Sequence, residues 1–414
     1  METKIKNTEK YLPYLILIAA AAAVYSIIYY YAGDFHILSQ NFYNTFSRQA
    51  EAWLSGRLFL AENIPWLELA VFEGNYYVSF TPFPSILMLP FVYFMGINTP
   101  DHMIALFVSF ISLIYAYKLA LNLLENRKYA VLLSLFLILG SNYLHTSMWG
   151  AVWYITQNLA FLFTMMAFYY SLTDKKAHSI FSLLFLCAAI GCRPLNGIYL
   201  PVILFLIYKR EDTNISGFIK RTLIYCIPAM ILGAFYMGLN YFRFGSVLEF
   251  GHSYLPEFVN DPLGQFHPSR IFFNLYRMLF HFDVTENPMF FGFAFWVASP
   301  IIISYFIYLG IYIYLYKSGR NSLMIQKDKD MFVIFSLFIL CLIHLFIFSF
   351  HRSLGGHQFG SRYSVDTLVA FYTGMLFVLK NIRPSNYIYL NIIPMIFGIS
   401  LNIYGTVVFL KYYF

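Results

Sequence analysis

The chain has 414 residues, of which 60% are hydrophobic and only 11% are charged, whereas ordinary soluble domains carry roughly 25% charged residues. This composition excludes a typical soluble domain. The formal net charge of +7 is compatible with nucleic-acid binding, but we expect it to reflect membrane topology, with no nucleic-acid partner. The four Cys lie in apolar runs without a CxxC or Cys/His spacing, so neither a disulfide framework nor a metal site is predicted.

Apolar runs long enough to cross a bilayer recur along the chain, separated by short polar segments, which is the pattern of an all-α polytopic membrane protein. Segment 82–96 is shorter and contains Pro82, Pro84 and Pro90, so we expect a juxtamembrane or re-entrant segment there. We predict a single transmembrane domain over 1–414. Its eleven candidate spans are 11–32, 101–124, 129–146, 155–172, 178–191, 194–208, 222–241, 298–317, 331–350, 366–380 and 387–410.

The first run, 11–32, follows three Lys and resembles a signal peptide, but its length favours a retained anchor. Clusters of Lys and Arg then set the orientation. They all fall on one side when the eleven runs cross and 82–96 does not, which predicts a cytoplasmic N-terminus and an outside C-terminus in the cell (inner) membrane. The clusters are Lys4/Lys6/Lys10, Arg127/Lys128, Lys175/Lys176, Lys209/Arg210/Lys220/Arg221, Lys317/Arg320/Lys327/Lys329 and Lys380/Arg383.

Three segments on the predicted outer side are too elaborate for connectors: the first outer loop (33–81), the second outer loop (241–297) and the third outer loop (351–365). Basic residues on this side are almost all Arg, whereas Lys dominates the inner clusters. The planar fork of Arg suits phosphate and carboxylate groups. Stacking of Arg on the abundant aromatic side chains is the alternative explanation. The asymmetry predicts an outer-face site for a phosphorylated ligand.

Two of these loops contain amphipathic stretches. In "NFYNTFSRQAEAWLSGRLFL", residues 41–60, apolar side chains recur at helical spacing up to Gly56, which predicts an interfacial helix. A Gly74–Asn75 turn between two short extended pieces follows. For this loop, a purely structural lid is the alternative to a functional role. "SRIFFNLYRMLFHF", residues 269–282, predicts a second interfacial helix with a polar, partly basic stripe. It would cover an acceptor groove or anchor to anionic lipid.

Five short stretches follow one another along most of the chain. The first outer loop contains A-x-x-x-L-x-G-R-L, from Ala50 to Leu58, and G-x-Y-Y-x-x-x-x-P-x-P begins at Gly74 and ends at Pro84. The later stretches are "CRPLNGIYLP" (192–201), "NYFRFGSVLEFGHSY" (240–254) and the G-x-R-Y-x-x-D within "GGHQFGSRYSVD" (355–366). Together they resemble the integral-membrane glycosyltransferases of the GT-C fold, more narrowly the bacterial relatives of protein O-mannosyltransferases and aminoarabinose transferases.

The resemblance implies transfer of a sugar from a polyprenyl-phosphate donor to a glycan, lipid or protein acceptor at the outer face. Such enzymes need a general base on the acceptor hydroxyl. The carboxylate expected some eight residues before Ala50 falls near Asn41 and Phe42, neither of which can take a proton. We expect Asp34, at the outer end of the first span, to serve as this catalytic base; an interfacial charge that ends the helix is the alternative. Glu51 is expected on a solvated face.

Phosphate binding is expected from Arg193, Arg362 and Arg352. Arg193 precedes Pro194, which forces an extended backbone, and a structural pair with a carboxylate is the alternative to phosphate binding. Arg362 and Asp366 are four residues apart and can instead pair with each other, so that Asp366 orients Arg362. The set expected to orient or support the site is Asp366, His357, Arg57 and Tyr363.

Two other functions use similar residues. A flippase or transporter of lipid-linked sugars also holds phosphate with intramembrane Arg, but the sequence shows no internal repeat of the kind often found in alternating access. A polymerase or ligase of surface polysaccharide concentrates Arg and His in one late loop, whereas here the first outer loop is equally developed. No cofactor is predicted; a divalent cation stays open, although the D-x-D at Asp328–Asp330 falls inside.

Overall fold

The structure is a computed structural model that describes residues 2–33, 36–211, 213–282, 294–318, 330–355, 358–382 and 387–413. Most of these residues are helical, and the described strands form one two-stranded sheet. The helices are α1 (Glu2–Ala32), α2 (Thr45–Leu54), α3 (Phe83–Met95), α4 (Asp101–Leu124), α5 (Arg127–Leu139), α6 (Tyr143–Ser147), α7 (Val152–Ser171), α8 (His178–Ile190), α9 (Leu200–Glu211), α10 (Ile215–Phe244), α11 (Pro256–Val259), α12 (Ile271–Phe280), α13 (Phe295–Ala298), α14 (Ile301–Lys317), α15 (Met331–Ser349), α16 (Val365–Asn381) and α17 (Ile392–Tyr413). The strands are β1 (Leu69–Phe72) and β2 (Asn75–Val78).

The helices confirm a predominantly α-helical, multi-pass membrane protein. Within the described residues, five helical stretches are long and apolar enough to cross a membrane: Tyr11–Ala32, Asp101–Leu124, Ile215–Phe244, Met331–Ser349 and Ile388–Lys411. Each coincides with one of the eleven predicted spans or contains it almost entirely. Of the remaining predicted spans, 155–172 corresponds to the 20-residue helix α7, and the others correspond to shorter helices. The clearest break separates α8 from α9 at a 3₁₀ segment, Pro194–Tyr199, which begins at the predicted Arg-Pro turn.

The first outer loop folds as a helix, whose buried Phe46 and Ala50 pack with Met88 and Val92 of α3, followed by a hairpin. Helix α2 ends at Leu54, two residues before the predicted Gly56. Strands β1 and β2 pair antiparallel, with Leu69 opposite Val78. The turn between them consists of Glu73 and Gly74, both with positive φ, rather than Gly74 and Asn75. Two consecutive residues with positive φ match the twist of a two-residue hairpin, so the turn lies one residue earlier than predicted.

Helices α7 and α16 lie in the centre of the bundle, and almost every residue of both is buried. Their sequences are apolar on all sides, as expected for helices packed in a protein interior. The N-terminal ends of both helices lie together, because the side-chain amide of Gln157 in α7 donates to the backbone carbonyl of Arg362, 2.9 Å away, just before α16. Polar residues at the start of these helices are therefore held inside the protein.

The opposite end of α16 gathers several of the predicted inner basic clusters. The carboxylate of Asp330, which is almost completely buried, accepts from the ammonium group of Lys209 at 2.6 Å and pairs with Lys380 at 3.5 Å. Nearby in sequence, Glu211 pairs with Arg221 at 3.4 Å. These ion pairs hold Lys and Arg of separate clusters at one end of the bundle, away from the start of α16.

Candidate active site

A cavity of about 840 Å³ lies where the three predicted outer loops meet the N-terminal ends of α7 and α16. Its charged lining residues come from distant parts of the chain: Glu68 from the first outer loop, Glu249 and Glu257 from the second, Arg193 after α8 and Arg362 before α16. Aromatic side chains form much of the remaining wall. They include Tyr43, Phe80, Trp149, Trp153, Tyr154, Phe250, Phe258, Phe348, Tyr363 and Phe409.

Arg193 is held by Asp366 in the first turn of α16. One carboxylate oxygen of Asp366 accepts from the Nε of Arg193 at 3.0 Å and from an Nη at 2.7 Å. The other oxygen accepts from the side-chain amide of Gln157 at 3.3 Å. Arg193 itself has the extended backbone expected before Pro194. The structural pair with a carboxylate, one of the two predicted alternatives for Arg193, is therefore present.

Asp366 does not pair with Arg362, and the interpretation that the two form an i,i+4 pair is wrong. Arg362 lies in a 3₁₀ turn, Arg362–Ser364, before α16 begins at Val365, so the two side chains do not share a helical face. The guanidinium of Arg362 instead donates to the backbone carbonyl of Trp153 at 3.2 Å. Asp366 is thus an orienting residue for Arg193.

Tyr363 lies between the two arginines. The guanidinium carbon of Arg193 is 5.2 Å from the centre of the Tyr363 ring, and that of Arg362 is 4.8 Å from it. The ring of Phe348 stacks on that of Tyr363; the two rings are nearly parallel and their centroids are 4.6 Å apart. The cation–π contacts stabilise both guanidinium groups without neutralising their charge.

Arg362 is a buried cation that faces the cavity, with only 4% of its surface exposed. Among the described residues, no carboxylate lies within ion-pair distance of its guanidinium group, whereas Arg193 and Arg352 both have such partners. Gly355 approaches Arg362 closely, since a Cβ at that position would lie 3.0 Å from an Nη atom. A buried charge without a counter-ion is costly, so this position favours an anionic ligand.

Glu68 is the carboxylate that sequence analysis missed. It immediately precedes β1, lines the cavity and accepts a hydrogen bond from the indole N–H of Trp153 at 2.8 Å. Burial raises the pKa of Glu68 to about 7; the Trp153 hydrogen bond opposes the rise, the charge of Glu257 adds to it, and Arg362 opposes it. No motif marked this residue, because a single Glu between Leu67 and Leu69 resembles an exposed position on a strand.

The other predicted site residues lie elsewhere. Arg352 pairs with Glu257 at 2.9 Å and with Asp261 at 2.6 Å, and it does not line the cavity. Arg57 follows α2, where its backbone N–H donates to the carbonyl of Ala52, and its side chain is also absent from the cavity wall. Asp34 and His357 lie outside the described residues.

Asn41, near the position at which the family pattern places its carboxylate, is a structural residue. Its side-chain oxygen accepts from the backbone N–H of Tyr43 at 2.7 Å, and its nitrogen lies 3.2 Å from the imidazole of His102. Its backbone N–H donates to the carboxylate of Asp101 at 3.3 Å. Asn41 is buried and does not line the cavity. The exposed Glu51 is on the solvated face expected for it.

The second outer loop closes one side of the cavity. The imidazole Nδ1 of His252 lies 2.7 Å from the carbonyl of Ser79, at the end of the hairpin. The predicted second interfacial helix is α12, although Asn274 on its polar stripe is buried and donates to the backbone carbonyls of Ser349 and His351. The second loop is therefore fastened to both the first and the third loops around the cavity. In the described part of the chain, no three His, Cys, Asp or Glu side chains could hold a metal ion together.

No protein-family model matches the sequence, and no curated protein matches it. Two solved structures of ArnT from Cupriavidus metallidurans are similar to the chain. The structure bound to undecaprenyl phosphate has a TM-score of 0.52 at 13% identity, over 90% of this chain and 61% of that one. The apo structure has a TM-score of 0.51 at 12% identity, over 89% and 60%. The chain shares the fold of ArnT.

The apo oligosaccharyltransferase of Archaeoglobus fulgidus is also similar, with a TM-score of 0.48 at 13% identity, over 97% of this chain and 56% of that one. The chain spans about three fifths of the length of the ArnT structures. The GT-C fold expected from the ordered motifs is confirmed by the ArnT similarity. At this level of identity the likeness concerns the fold.

Proposed function

We propose that the protein is a membrane glycosyltransferase that moves a sugar from a polyprenyl-phosphate donor to an acceptor in the cavity, at the outer face of the cell membrane. One observation carries the proposal: the buried guanidinium of Arg362, without a carboxylate partner among the described residues, shares a cavity with the carboxylate of Glu68. The ArnT fold supports the choice of donor, since one ArnT structure is bound to undecaprenyl phosphate.

Arg362 is the proposed contact for the donor phosphate. Of the three arginines predicted to bind phosphate, Arg362 has no carboxylate partner among the described residues. Arg193 is paired with Asp366, and Arg352 is paired with Glu257 and Asp261. A guanidinium inside a protein binds phosphate strongly, since charge-assisted hydrogen bonds are stronger there than in water. Arg193, whose charge is offset by Asp366, contacts the same Tyr363 ring as Arg362, and Arg352 makes no direct contact with the proposed phosphate.

An apolar groove is the proposed place for the hydrocarbon chain of the donor. It has a volume of about 750 Å³ and lies between α12, α14, α15 and α16, with a wall of aliphatic and aromatic side chains. Helix α15 connects it to the cavity: Ile343 and Phe346 line the groove, while Ile347 and Phe348 line the cavity. An amphiphile whose polar head lies at Arg362 thus has a neighbouring apolar surface for its chain.

The leaving group of the proposed reaction is a phosphate, so stabilisation of its developing charge is the main electrostatic demand. Arg362 meets this demand. A carboxylate at the cavity accepts the proton of the acceptor hydroxyl. The aromatic walls, including Trp153, Tyr154 and Phe258, offer flat apolar surfaces to the C–H faces of a sugar ring. The acceptor is proposed to be a glycan, a lipid or a protein.

The proposal is tested with purified protein in nanodiscs and a panel of radiolabelled undecaprenyl-phosphate-linked hexoses and pentoses. Membranes from the expression host supply acceptors, and thin-layer chromatography follows donor consumption. We expect one donor to be consumed, and Arg362→Gln to reduce consumption at least about tenfold, as loss of one charge-assisted contact predicts. Arg48→Gln, on α2 and outside the cavity, is the matched control and keeps full activity. When the protein is reconstituted into closed vesicles instead, movement of intact donor across the membrane without consumption would identify a flippase.

A further inference from the structure

We propose that Glu68, rather than Asp34, is the catalytic base that receives the acceptor proton; this inference rests on the proposed function. Three observations support it. Glu68 lines the same cavity as Arg362, and its carboxylate is held there by Trp153. It has no cation within ion-pair distance among the described residues. The family position near Asn41 carries an amide that is engaged in structural hydrogen bonds.

The other two carboxylates at the cavity are already engaged. Glu257 pairs with Arg352 at 2.9 Å. Glu249 accepts from the backbone N–H of Gly251 at 2.5 Å, and its charge acts on Arg243 and His252, whereas that of Glu68 interacts with Arg362. Glu68 accepts only the indole N–H of Trp153 among the side-chain donors that the structure describes, so its second oxygen can receive a proton. A base needs such a free lone pair within reach of the hydroxyl it deprotonates.

The backbone at Glu68 is fixed from two sides. The hydroxyl of Ser79 donates to the carbonyl of Glu68 at 3.0 Å across the hairpin. The carbonyl of Ser79 in turn lies 2.7 Å from the imidazole of His252. Arg243, fully buried at the end of α10, donates to the carbonyl of Val78 at 3.2 Å. The hairpin therefore holds the Glu68 side chain at a defined place in the cavity wall, as a base requires.

The proposed step is a direct displacement. The O–H bond of the acceptor hydroxyl breaks, and its proton moves to the Glu68 carboxylate. At the same time a lone pair of the acceptor oxygen forms the new bond to the anomeric carbon. The bond between this carbon and the phosphate oxygen breaks, and its electron pair stays on the polyprenyl phosphate beside Arg362. Glu68 then releases the proton to water. The anomeric carbon is inverted by this route.

Several charges act on Glu68. Burial raises its pKa to about 7, Trp153 lowers it, Glu257 raises it and Arg362 lowers it. The other charged or imidazole groups on the cavity wall are Arg193, Glu249, His252 and His351, and the hydroxyls of Tyr43, Tyr154 and Tyr363 and the thiol of Cys192 also line it. The donor adds a negative charge at Arg362, which cancels the effect of that cation and raises the pKa of Glu68 further. The donor thus makes Glu68 a stronger base.

A binding experiment tests this assignment without knowledge of the sugar or the acceptor. Infrared difference spectra between wild type and Glu68→Gln isolate the carboxyl band of Glu68 during a pH titration. We expect a midpoint near pH 7, as its raised pKa indicates, and an upward shift of about one unit when undecaprenyl phosphate is added. Trp153→Phe removes the hydrogen bond to the charged form and also raises the midpoint. A titration midpoint near pH 4.5 that does not change when undecaprenyl phosphate is added would overturn the assignment.

Kinetics complete the test. Glu68→Gln keeps the size of the side chain, should bind undecaprenyl phosphate at least as tightly as wild type, and should consume donor about 100-fold or more slowly. Glu68→Asp should regain part of the rate, and Glu51→Gln, an exposed carboxylate on α2, is the control with wild-type rate. If wild type consumes donor and Glu68→Gln does so equally fast, Glu68 is not the base although the proposed function stands. If wild type consumes none of the panel, the proposed function fails, while the infrared titration still decides where Glu68 lies relative to the phosphate.

Discussion

Replacing Asp366 with Asn tests the central ion pair of the site. The change removes the charge that receives two hydrogen bonds from Arg193 but keeps the size of the side chain. The side chain of Asp366 is 1% exposed and that of Arg193 is 18% exposed, so the pair is largely buried. Removing one partner of a buried pair costs about 3–5 kcal/mol.

Two features of the structure reduce this figure. Arg193 reaches the cavity, where water partly solvates its charge, and it keeps contacts with the rings of Phe348 and Tyr363. Cation–π contacts of this kind are worth about 0.5–1 kcal/mol each. We therefore expect Asp366→Asn to lower the free energy of unfolding by about 2–3 kcal/mol.

Unfolding in mixed micelles of dodecyl maltoside and sodium dodecyl sulfate, followed by circular dichroism, measures the change. A double-mutant cycle with Arg193→Gln supplies the control, because the double variant leaves no charge unpaired. We expect the double variant to be destabilised by less than the sum of the single changes, with a coupling above about 1 kcal/mol. Additive effects, or a loss under about 0.5 kcal/mol for Asp366→Asn, would refute the pairing of these residues.

Two further changes probe the surroundings of Arg362. Gly355→Ala places a Cβ 3.0 Å from the guanidinium of Arg362 at a φ of +97°, so undecaprenyl phosphate binding should weaken about tenfold. Gly56→Ala, which also has a positive φ but lies in open space, is the control and should not weaken binding. Equal losses of affinity in the two variants would contradict the argument that the added Cβ crowds Arg362. Arg352→Gln breaks two partly exposed ion pairs, which contribute little to stability. It should leave this binding within about threefold of wild type. A tenfold loss of affinity for undecaprenyl phosphate would instead show that Arg352 contributes to phosphate binding.

Most helices follow directly from the sequence, because a helix that crosses a membrane must be apolar along its length. The predicted span 101–124 agrees with the bounds of α4, and 331–350 differs from α15 by one residue. The extended backbone at Arg193 was predictable for a local reason as well, since Pro194 follows it. Patterns of this kind depend on neighbours within a few residues.

The site depends on contacts between distant residues, which a single sequence does not show. Asp366 pairs with Arg193, 173 positions away, although Arg362 is four positions away. The hydrogen bond from Trp153 to Glu68 joins residues 85 positions apart. Helical periodicity assigned the first contact wrongly because Arg362 lies before the helix begins. The family pattern directed attention to Asn41, which takes part in structural hydrogen bonds and does not line the cavity, and no local signal in the sequence marks Glu68.

A cryo-electron microscopy structure of the protein in nanodiscs with undecaprenyl phosphate tests the central claim most directly. We predict density for the phosphate in the cavity against the guanidinium of Arg362, near Glu68, and density for the hydrocarbon chain along the groove on α15. Phosphate density at Arg352, or at the Lys209–Lys380 end of the bundle with an empty cavity, would contradict the account.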